Sequence, residues 1–240
     1  MQNKYPQKPG IDFILKQAFF YWNKTLVFQL MFSIIYFAIF FTSFFFLDSR
    51  FGILEMRYEV AEAFKTGTNE YLEKVAEISS TENYQKFLYG IMGTLIFLYP
   101  LNLGFFQIFR KIDLKEKIVL GDLFAGYNGF NFFKYIGYYI FWFFTYLMVT
   151  QTIILPIIWV FVTLFVAPLM FFTNKRIFEA ISINFKVLKM YFIEIAVCVM
   201  VAFFFKYIGF ALFLIGGLFT FPFWNAMIYS LYTTIFTEKN

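Results

Sequence analysis

The sequence predicts an all-α integral membrane protein with six transmembrane helices, and two observations support this. Of its 240 residues, 61% are hydrophobic and only 15% are charged, whereas soluble domains carry about 25% charged residues. The uncharged runs are also long, and a membrane-spanning helix needs ~20 residues. These runs cover residues 25–47, 87–109, 135–172 and 207–237.

The run 135–172 is too long for one crossing of a bilayer. At a rise of ~1.5 Å per residue it extends to nearly twice the ~30 Å hydrocarbon core. We therefore expect it to turn back once near residues 150–152, where Gln151 lies between two threonines. The six predicted spans are 25–47, 87–109, 134–150, 153–172, 190–206 and 208–232.

The charges between the spans predict the topology. Cytoplasmic loops are rich in Lys and Arg, and residues 1–24, 110–134 and 173–190 each hold more basic than acidic residues. Segment 48–86 instead holds more acidic than basic residues. We therefore expect residues 1–240 to form a single membrane domain with both termini cytoplasmic. Segment 48–86 is then predicted to be an extracytoplasmic helical insertion between spans 1 and 2.

The spacing of lysines and prolines suggests one helix-pair unit used three times. The number of residues from the lysine to the proline is nearly the same in the second and third units. In the first unit it is similar when the residues of segment 48–86 are not counted. Three same-sense pairs would surround a pseudo-threefold axis along the membrane normal, although any six-span protein alternates helices and loops and often contains prolines. The pairs are Lys24 with Pro100, Lys134 with Pro168, and Lys189 with Pro222.

An amphipathic stretch precedes the first span of each predicted unit. Residues 11–24, 120–127 and 177–188 carry apolar residues three and four positions apart, which places them on one helical stripe. Such helices lie in the headgroup region of a bilayer. They are predicted as cytoplasmic interfacial helices, with cytoplasmic extensions of the spans as the alternative.

The composition excludes most catalytic chemistry. The chain has no histidine and one cysteine, Cys198, so neither Ser/His or Cys/His catalysis nor a His/Cys metal site is expected. The acidic residues Asp113, Glu116 and Asp122 are interpreted as solvated loop charges. We therefore predict no catalytic residues, no cofactor, no metal and no nucleic-acid partner, and the bilayer itself is the expected environment.

Polar residues inside the predicted spans are candidate functional positions, because they are costly in lipid. Asn102 and Asn225 follow two of the prolines, where they either satisfy carbonyls freed by the kinks or line a polar cavity. Glu194 is the only acid within a span, and it is predicted to pair or snorkel at the interface, with proton coupling as the alternative. The candidate positions are Asn102, Gln107, Gln151, Glu194 and Asn225, with Gln29, Thr145 and Thr163 also polar, and the predicted kinks are Pro100, Pro168 and Pro222.

Three short stretches carry a resemblance to a known family. They are similar to bacterial six-span proteins akin to the membrane domain fused to some glycerophosphodiester phosphodiesterases, over about residues 88–236. The resemblance implies an all-helical bacterial inner-membrane protein and implies no activity, and segment 48–86 departs from the family's compact pattern. The stretches are 120–124 (Leu-Gly-Asp-Leu-Phe), Ala167 and Pro168 followed by Asn174 and Ala180, and 215–217 (Ile-Gly-Gly) with Phe221 and Pro222.

These observations predict a non-enzymatic integral membrane protein that is an accessory or scaffold component of the cell envelope. Segment 48–86, the main asymmetry among the three units, is interpreted as a solvated loop cap, with a binding surface for a membrane-protein partner as the other interpretation. The alternative is a small-molecule or lipid transporter with a cavity between the helix-pair repeats.

Overall fold

A computed structural model describes residues 10–129, 131–212 and 214–236. Those residues are almost entirely helical and form no strand. A 3-10 segment, Leu120–Tyr127, lies between α5 and α6. The α-helices of the described residues are α1 Ile11–Lys24, α2 Leu26–Phe51, α3 Ile53–Thr66, α4 Thr68–Ser80, α5 Glu82–Asp113, α6 Asn131–Val149, α7 Leu155–Thr163, α8 Val166–Thr173, α9 Ile177–Met190, α10 Phe192–Leu212, α11 Leu214–Thr220 and α12 Phe223–Phe236.

Five helical stretches of the described residues are long and apolar enough to cross a membrane, which confirms a multi-pass membrane protein in its coarse outline. They correspond to the first five predicted spans. The sixth predicted span, 208–232, covers the end of α10 and the two helices α11 and α12. The five stretches are Leu26–Phe51, Glu82–Asp113, Phe132–Val149, Leu155–Thr173 and Phe192–Ala211.

Two of the predicted boundaries differ from the observed helices. The connection expected at 206–208 lies inside α10, because a lysine at position 206 does not break a helix and the next residues contain no proline. The ammonium of Lys206 lies 4.6 Å from the centroid of the Phe221 ring. Conversely, the span predicted at 153–172 is interrupted at Leu164 and Phe165, between α7 and α8. The turn expected near 150–152 is present, since α6 ends at Val149 and α7 begins at Leu155.

The described chain divides into two compact units. One contains residues up to Ile34 and from Tyr99 onward, and the other is Ile35–Leu98. We call the first the bundle unit and the second the hairpin unit.

An aromatic cluster in the bundle unit joins three helices, each of which has a proline within it or directly before it. Phe106 of α5 contacts Phe172 of α8 with ring centroids 6.0 Å apart, and Phe109 of α5 contacts Tyr229 of α12 at 5.4 Å. Phe172 also stacks on Tyr232 of α12 at 5.0 Å. The three helices α5, α8 and α12 therefore touch one another pairwise. Along α12 itself the buried residues are Phe223, Asn225, Ala226, Met227, Ile228, Tyr229, Ser230, Leu231 and Tyr232.

Each of the three proline-containing passages, α5, α7 with α8, and α12, is covered by a different one of the three segments that were predicted to be amphipathic. The 3-10 segment packs on α5, where a side chain at Gly104 would collide with the carbonyl of Leu123, and one at Gly126 with the carbonyl of Pro100. Helix α9 packs on α7 and α8, and α1 packs on α12. These contacts follow a cyclic order along the chain. The 3-10 segment, the second of the three, covers α5; α9, the third, covers α7 and α8; and α1, the first, covers α12.

Helices α1 and α9 have closely similar local structures. Each is 14 residues long and is followed by one non-helical residue before a long apolar helix. That residue is Thr25 in one case, with φ −117° and ψ 21°, and Tyr191 in the other, with φ −124° and ψ 32°. Both helices bury their fourth, eighth and eleventh residues, which are Ile14, Ala18 and Tyr21 in α1 and Ala180, Asn184 and Val187 in α9.

The hairpin unit contains α3 and α4, which pack on each other. Gly52, in a left-handed conformation with φ 67°, separates α2 from α3, and Gly67 separates α3 from α4. The next helix, α5, begins with a side-chain cap, since the Thr81 hydroxyl accepts a hydrogen bond from the Tyr84 amide at 3.3 Å. Lys74 joins the two hairpin helices through an ion pair with Glu59 at 2.8 Å.

Candidate functional site

The three prolines predicted as kinks have different local structures. Pro100 lies inside the continuous helix α5. Pro168 is the third residue of α8, just after the interruption at Leu164 and Phe165, and Pro222 lies in the turn directly before α12. A proline removes one backbone donor and frees the carbonyl four residues earlier, so the backbone near each proline needs other partners.

Asn184 of α9 supplies those partners at the break between α7 and α8. Its amide nitrogen donates to the carbonyl of Phe161 at 2.8 Å and also to that of Val162. Its amide oxygen accepts the N–H of Phe165 at 3.1 Å. The residue is 1% exposed. One side chain from a neighbouring helix therefore satisfies three backbone groups that the interruption exposes.

The next carbonyl at this break is satisfied from the opposite side. The Tyr138 hydroxyl on α6 donates to the carbonyl of Thr163 at 3.4 Å, and the Trp142 indole donates to the Thr163 hydroxyl at 2.8 Å. Farther along, the ammonium of Lys134 donates to the carbonyl of Met170 at 3.0 Å and to Asn174, which ends α8 in a left-handed conformation. A cation at a helix C-terminus also interacts favourably with the helix dipole.

The break before Pro222 is satisfied in the same way by residues near the start of the chain. The carbonyl of Leu218, four residues before the proline, accepts the Ser33 hydroxyl at 2.6 Å. The carbonyl of Phe219 accepts the Trp22 indole N–H at 2.8 Å. Sequence analysis did not identify Asn184 or Ser33, and it placed Trp22 only on an apolar face.

Asn102 and Asn225, two of the predicted polar positions, come together in the bundle unit. The amide of Asn225 donates to the side-chain oxygen of Asn102 at 3.2 Å, and Asn102 donates to the carbonyl of Tyr99 at 3.2 Å. Asn102 thus bonds to a carbonyl close to the proline, but not to that of Ile96, four residues before Pro100, which is the one that the proline frees.

The other predicted polar positions are not gathered into one site. Gln107 is half-buried on α5, whereas Gln151 is exposed in the turn between α6 and α7. Glu194 is 9% exposed in the first turn of α10, and its Oε2 atom has no hydrogen-bond partner among the described residues. No salt bridge joins it to Lys24 or Lys189 there, so the pairing expected for Glu194 is not observed.

Two of the acidic residues interpreted as solvated loop charges have structural contacts, and the interpretation was wrong for Asp122, which is buried. Asp122 is 8% exposed and pairs with Lys111 at 2.7 Å, because the 3-10 segment folds back along α5. Asp113, although exposed, accepts hydrogen bonds from the hydroxyls of Tyr21 and Tyr229, each at 2.6 Å. Glu116 is exposed, as expected.

Asp113 thus joins three helices, because it ends α5 while its two phenol donors lie on α1 and α12. Burial, followed by the hydrogen bond to Asp113 and its negative charge, raises the pKa of Tyr21. The same contact region includes Ser230, whose single hydroxyl hydrogen is shared between two acceptors, the carbonyl of Ile14 at 2.7 Å and the side-chain oxygen of Gln17 at 2.9 Å.

The hairpin unit contains a cavity of about 270 Å³. It lies between α3, α4 and the beginning of α5, and most of its lining is apolar. Arg57, Ser79 and Tyr84 are the polar exceptions. The apolar lining consists of Ile53, Met56, Val60, Val75, Ile78 and Phe87.

Within the described residues, no group of three or more Asp, Glu, Cys or His side chains is placed to hold a metal ion. Cys198 is a buried free thiol on α10. No protein-family model, curated protein or solved structure matches the chain.

Proposed function

We propose that this chain is a non-enzymatic, six-span accessory or scaffold protein of a bacterial inner membrane. Its observed basis is the packed aromatic cluster of α5, α8 and α12. A protein that moves a solute needs a path or cavity between its helices, whereas these three helices contact one another directly through Phe106, Phe109, Phe172 and Tyr229. The polar pair Asn102 and Asn225 is engaged with itself and the backbone.

The proposed architecture is three same-sense helix pairs. The similarity of α1 to α9, down to the positions they bury, supports a repeated unit. The cyclic order in which amphipathic segments cover the proline-containing passages supports a pseudo-threefold arrangement. In this proposal α11 and α12 together make the sixth crossing, interrupted at Pro222.

The proposed orientation places both termini and the amphipathic segments on the cytoplasmic side. It is supported by the excess of Lys and Arg in 1–24, 110–134 and 173–190. The exposed large residues on one side of α1 and α9 fit a helix that packs on the protein with one face and meets lipid with another. Examples are Phe20, 51% exposed, and Phe178, 73% exposed.

A membrane-protein partner is proposed to bind the hairpin unit. Its support is the set of large apolar residues that α3 and α4 expose outside the cavity. Tyr58, Phe64 and Leu72 are 66%, 68% and 58% exposed. Contiguous exposed apolar patches mark interaction surfaces, and these residues are proposed to form one.

The test uses the full chain purified from its membrane in mild detergent. We expect one partner to be recovered in fixed proportion with the wild type and with Glu73→Gln, and to be lost with Leu72→Glu. Recovery of this chain alone, or equal recovery with both variants, contradicts the proposal. Solute uptake by proteoliposomes that contain only this chain favours the transporter alternative instead.

A further inference from the structure

The cavity of the hairpin unit has the composition of a site for an amphiphile. Six of its lining residues are aliphatic, thioether or phenyl groups, and a guanidinium and two hydroxyls complete the lining. Ligand pockets typically measure ~300–1,000 Å³ and combine an apolar wall with a few polar groups. A volume of about 270 Å³ therefore suits a segment of hydrocarbon chain better than a whole large ligand.

Arg57 gives the cavity a cationic group that forms no ion pair with a carboxylate among the residues that the structure describes. The ion pairs of segment 48–86 use its three lysines, Lys65, Lys74 and Lys86. Arg57 instead lies over the ring of Phe44, 5.1 Å from the centroid. Since a guanidinium matches the geometry of a phosphate oxygen pair, this group favours an anionic head next to the apolar wall.

The position of the cavity along the chain indicates where its ligand comes from. Tyr84 and Phe87 line it, and both belong to a helix long and apolar enough to cross a membrane. Phe87 is also the first residue of the uncharged run 87–109. The wall of the cavity thus begins where the hydrocarbon region is expected to begin, so an acyl chain reaches it from the bilayer without crossing water.

We propose that this cavity binds one acyl chain of an anionic phospholipid, with its phosphate held by Arg57. The lipid is favoured over the side chain of a protein partner because the apolar lining continues into an apolar helix, while the exposed residues Tyr58 and Leu72 are not part of the lining. This inference does not depend on the partner proposed above, since it concerns the purified chain alone.

The test is photo-cross-linking of the full chain in nanodiscs of phosphatidylcholine. They contain a trace of phosphatidylglycerol with a photoreactive group in its acyl chain, and cross-linked peptides are located by mass spectrometry. We expect adducts on Met56, Val60 or Val75, competed by unlabelled phosphatidylglycerol. Val75→Phe fills the cavity and should lower this labelling at least fivefold, whereas Ala76→Phe, which adds the same ring at an exposed neighbouring position, should leave it unchanged.

The variant Arg57→Gln distinguishes recognition of the lipid headgroup from binding of the acyl chain. We expect it to retain labelling at Val60 and to lose the preference for phosphatidylglycerol over a photoreactive phosphatidylcholine. Circular dichroism and the midpoint of thermal unfolding establish that each variant is folded. Equal labelling of Val75→Phe and Ala76→Phe, an unchanged headgroup preference in Arg57→Gln, or adducts spread evenly over the lipid-facing helices would each overturn the proposal.

Discussion

Replacement of Asn184 by leucine tests whether this side chain stabilises the interruption between α7 and α8. Leucine has the same branching and the same number of side-chain heavy atoms, although it is bulkier, so Asn184→Leu removes the hydrogen bonds to Phe161, Val162 and Phe165 without opening a cavity. Side-chain hydrogen bonds within membrane proteins contribute about 0.6 kcal/mol each on average. The expected loss is therefore about 2 kcal/mol, which for a chain of this size lowers the unfolding midpoint by about 4–8 °C.

The measurement is thermal or dodecyl-sulphate-induced unfolding of the detergent-purified protein, followed by tryptophan fluorescence. Hydrogen exchange of the peptide that contains Phe165 gives a local readout, and we expect faster exchange there because its N–H loses its acceptor. Asn23→Leu is the matched control, since Asn23 is exposed on α1. If Asn184→Leu and Asn23→Leu have the same unfolding midpoint and the same rate of amide hydrogen exchange, Asn184 of α9 does not stabilise the interruption between α7 and α8.

Further predictions concern the other close contacts. Gly104→Leu should abolish the folded state, because the new side chain collides with the backbone of the 3-10 segment. Gly137 has open space around it, so Gly137→Ala should have an unfolding midpoint no lower than that of the wild type. Asp113→Asn leaves one acceptor oxygen for two phenols, so we expect the free energy of unfolding to fall by about 1.5 kcal/mol and proteolysis within α1 to become faster. The control Glu116→Gln, at an exposed position, should behave as the wild type. Equal proteolysis of the two variants contradicts this prediction. Cys198, 0% exposed, should resist a maleimide in the folded protein and react fully in dodecyl sulphate, and rapid labelling without denaturant would be inconsistent with its burial.

The long spans were predictable from sequence because lipid requires an uncharged helix of a minimum length. The runs 25–47 and 87–109 each correspond to one helix, and the turn expected near 150–152 is present. The end of the fifth span was not predictable from the charge of Lys206. Its helix continues to Leu212, because a charged side chain does not stop backbone hydrogen bonding.

The residues that hold the bundle unit together were less visible in the sequence. Asn184 carried a usable signal, since it occupies the apolar stripe of its helix together with Ile177, Ala180 and Ile181, where a polar residue needs a partner. Asp113 carried none. Its role depends on two tyrosines that are far away in the chain, and only tertiary structure brings them to it.

The cyclic covering of the proline-containing passages has a consequence for biosynthesis. Helix α1 is synthesised before α12, yet the surface it covers belongs to α12, and Ser230 bonds to Ile14 across a separation of 216 residues. The contacts between these two helices therefore form only after α12 has been made. A nascent chain that has not yet reached α12 leaves uncovered part of the face of α1 that carries Ile14, Ala18 and Tyr21.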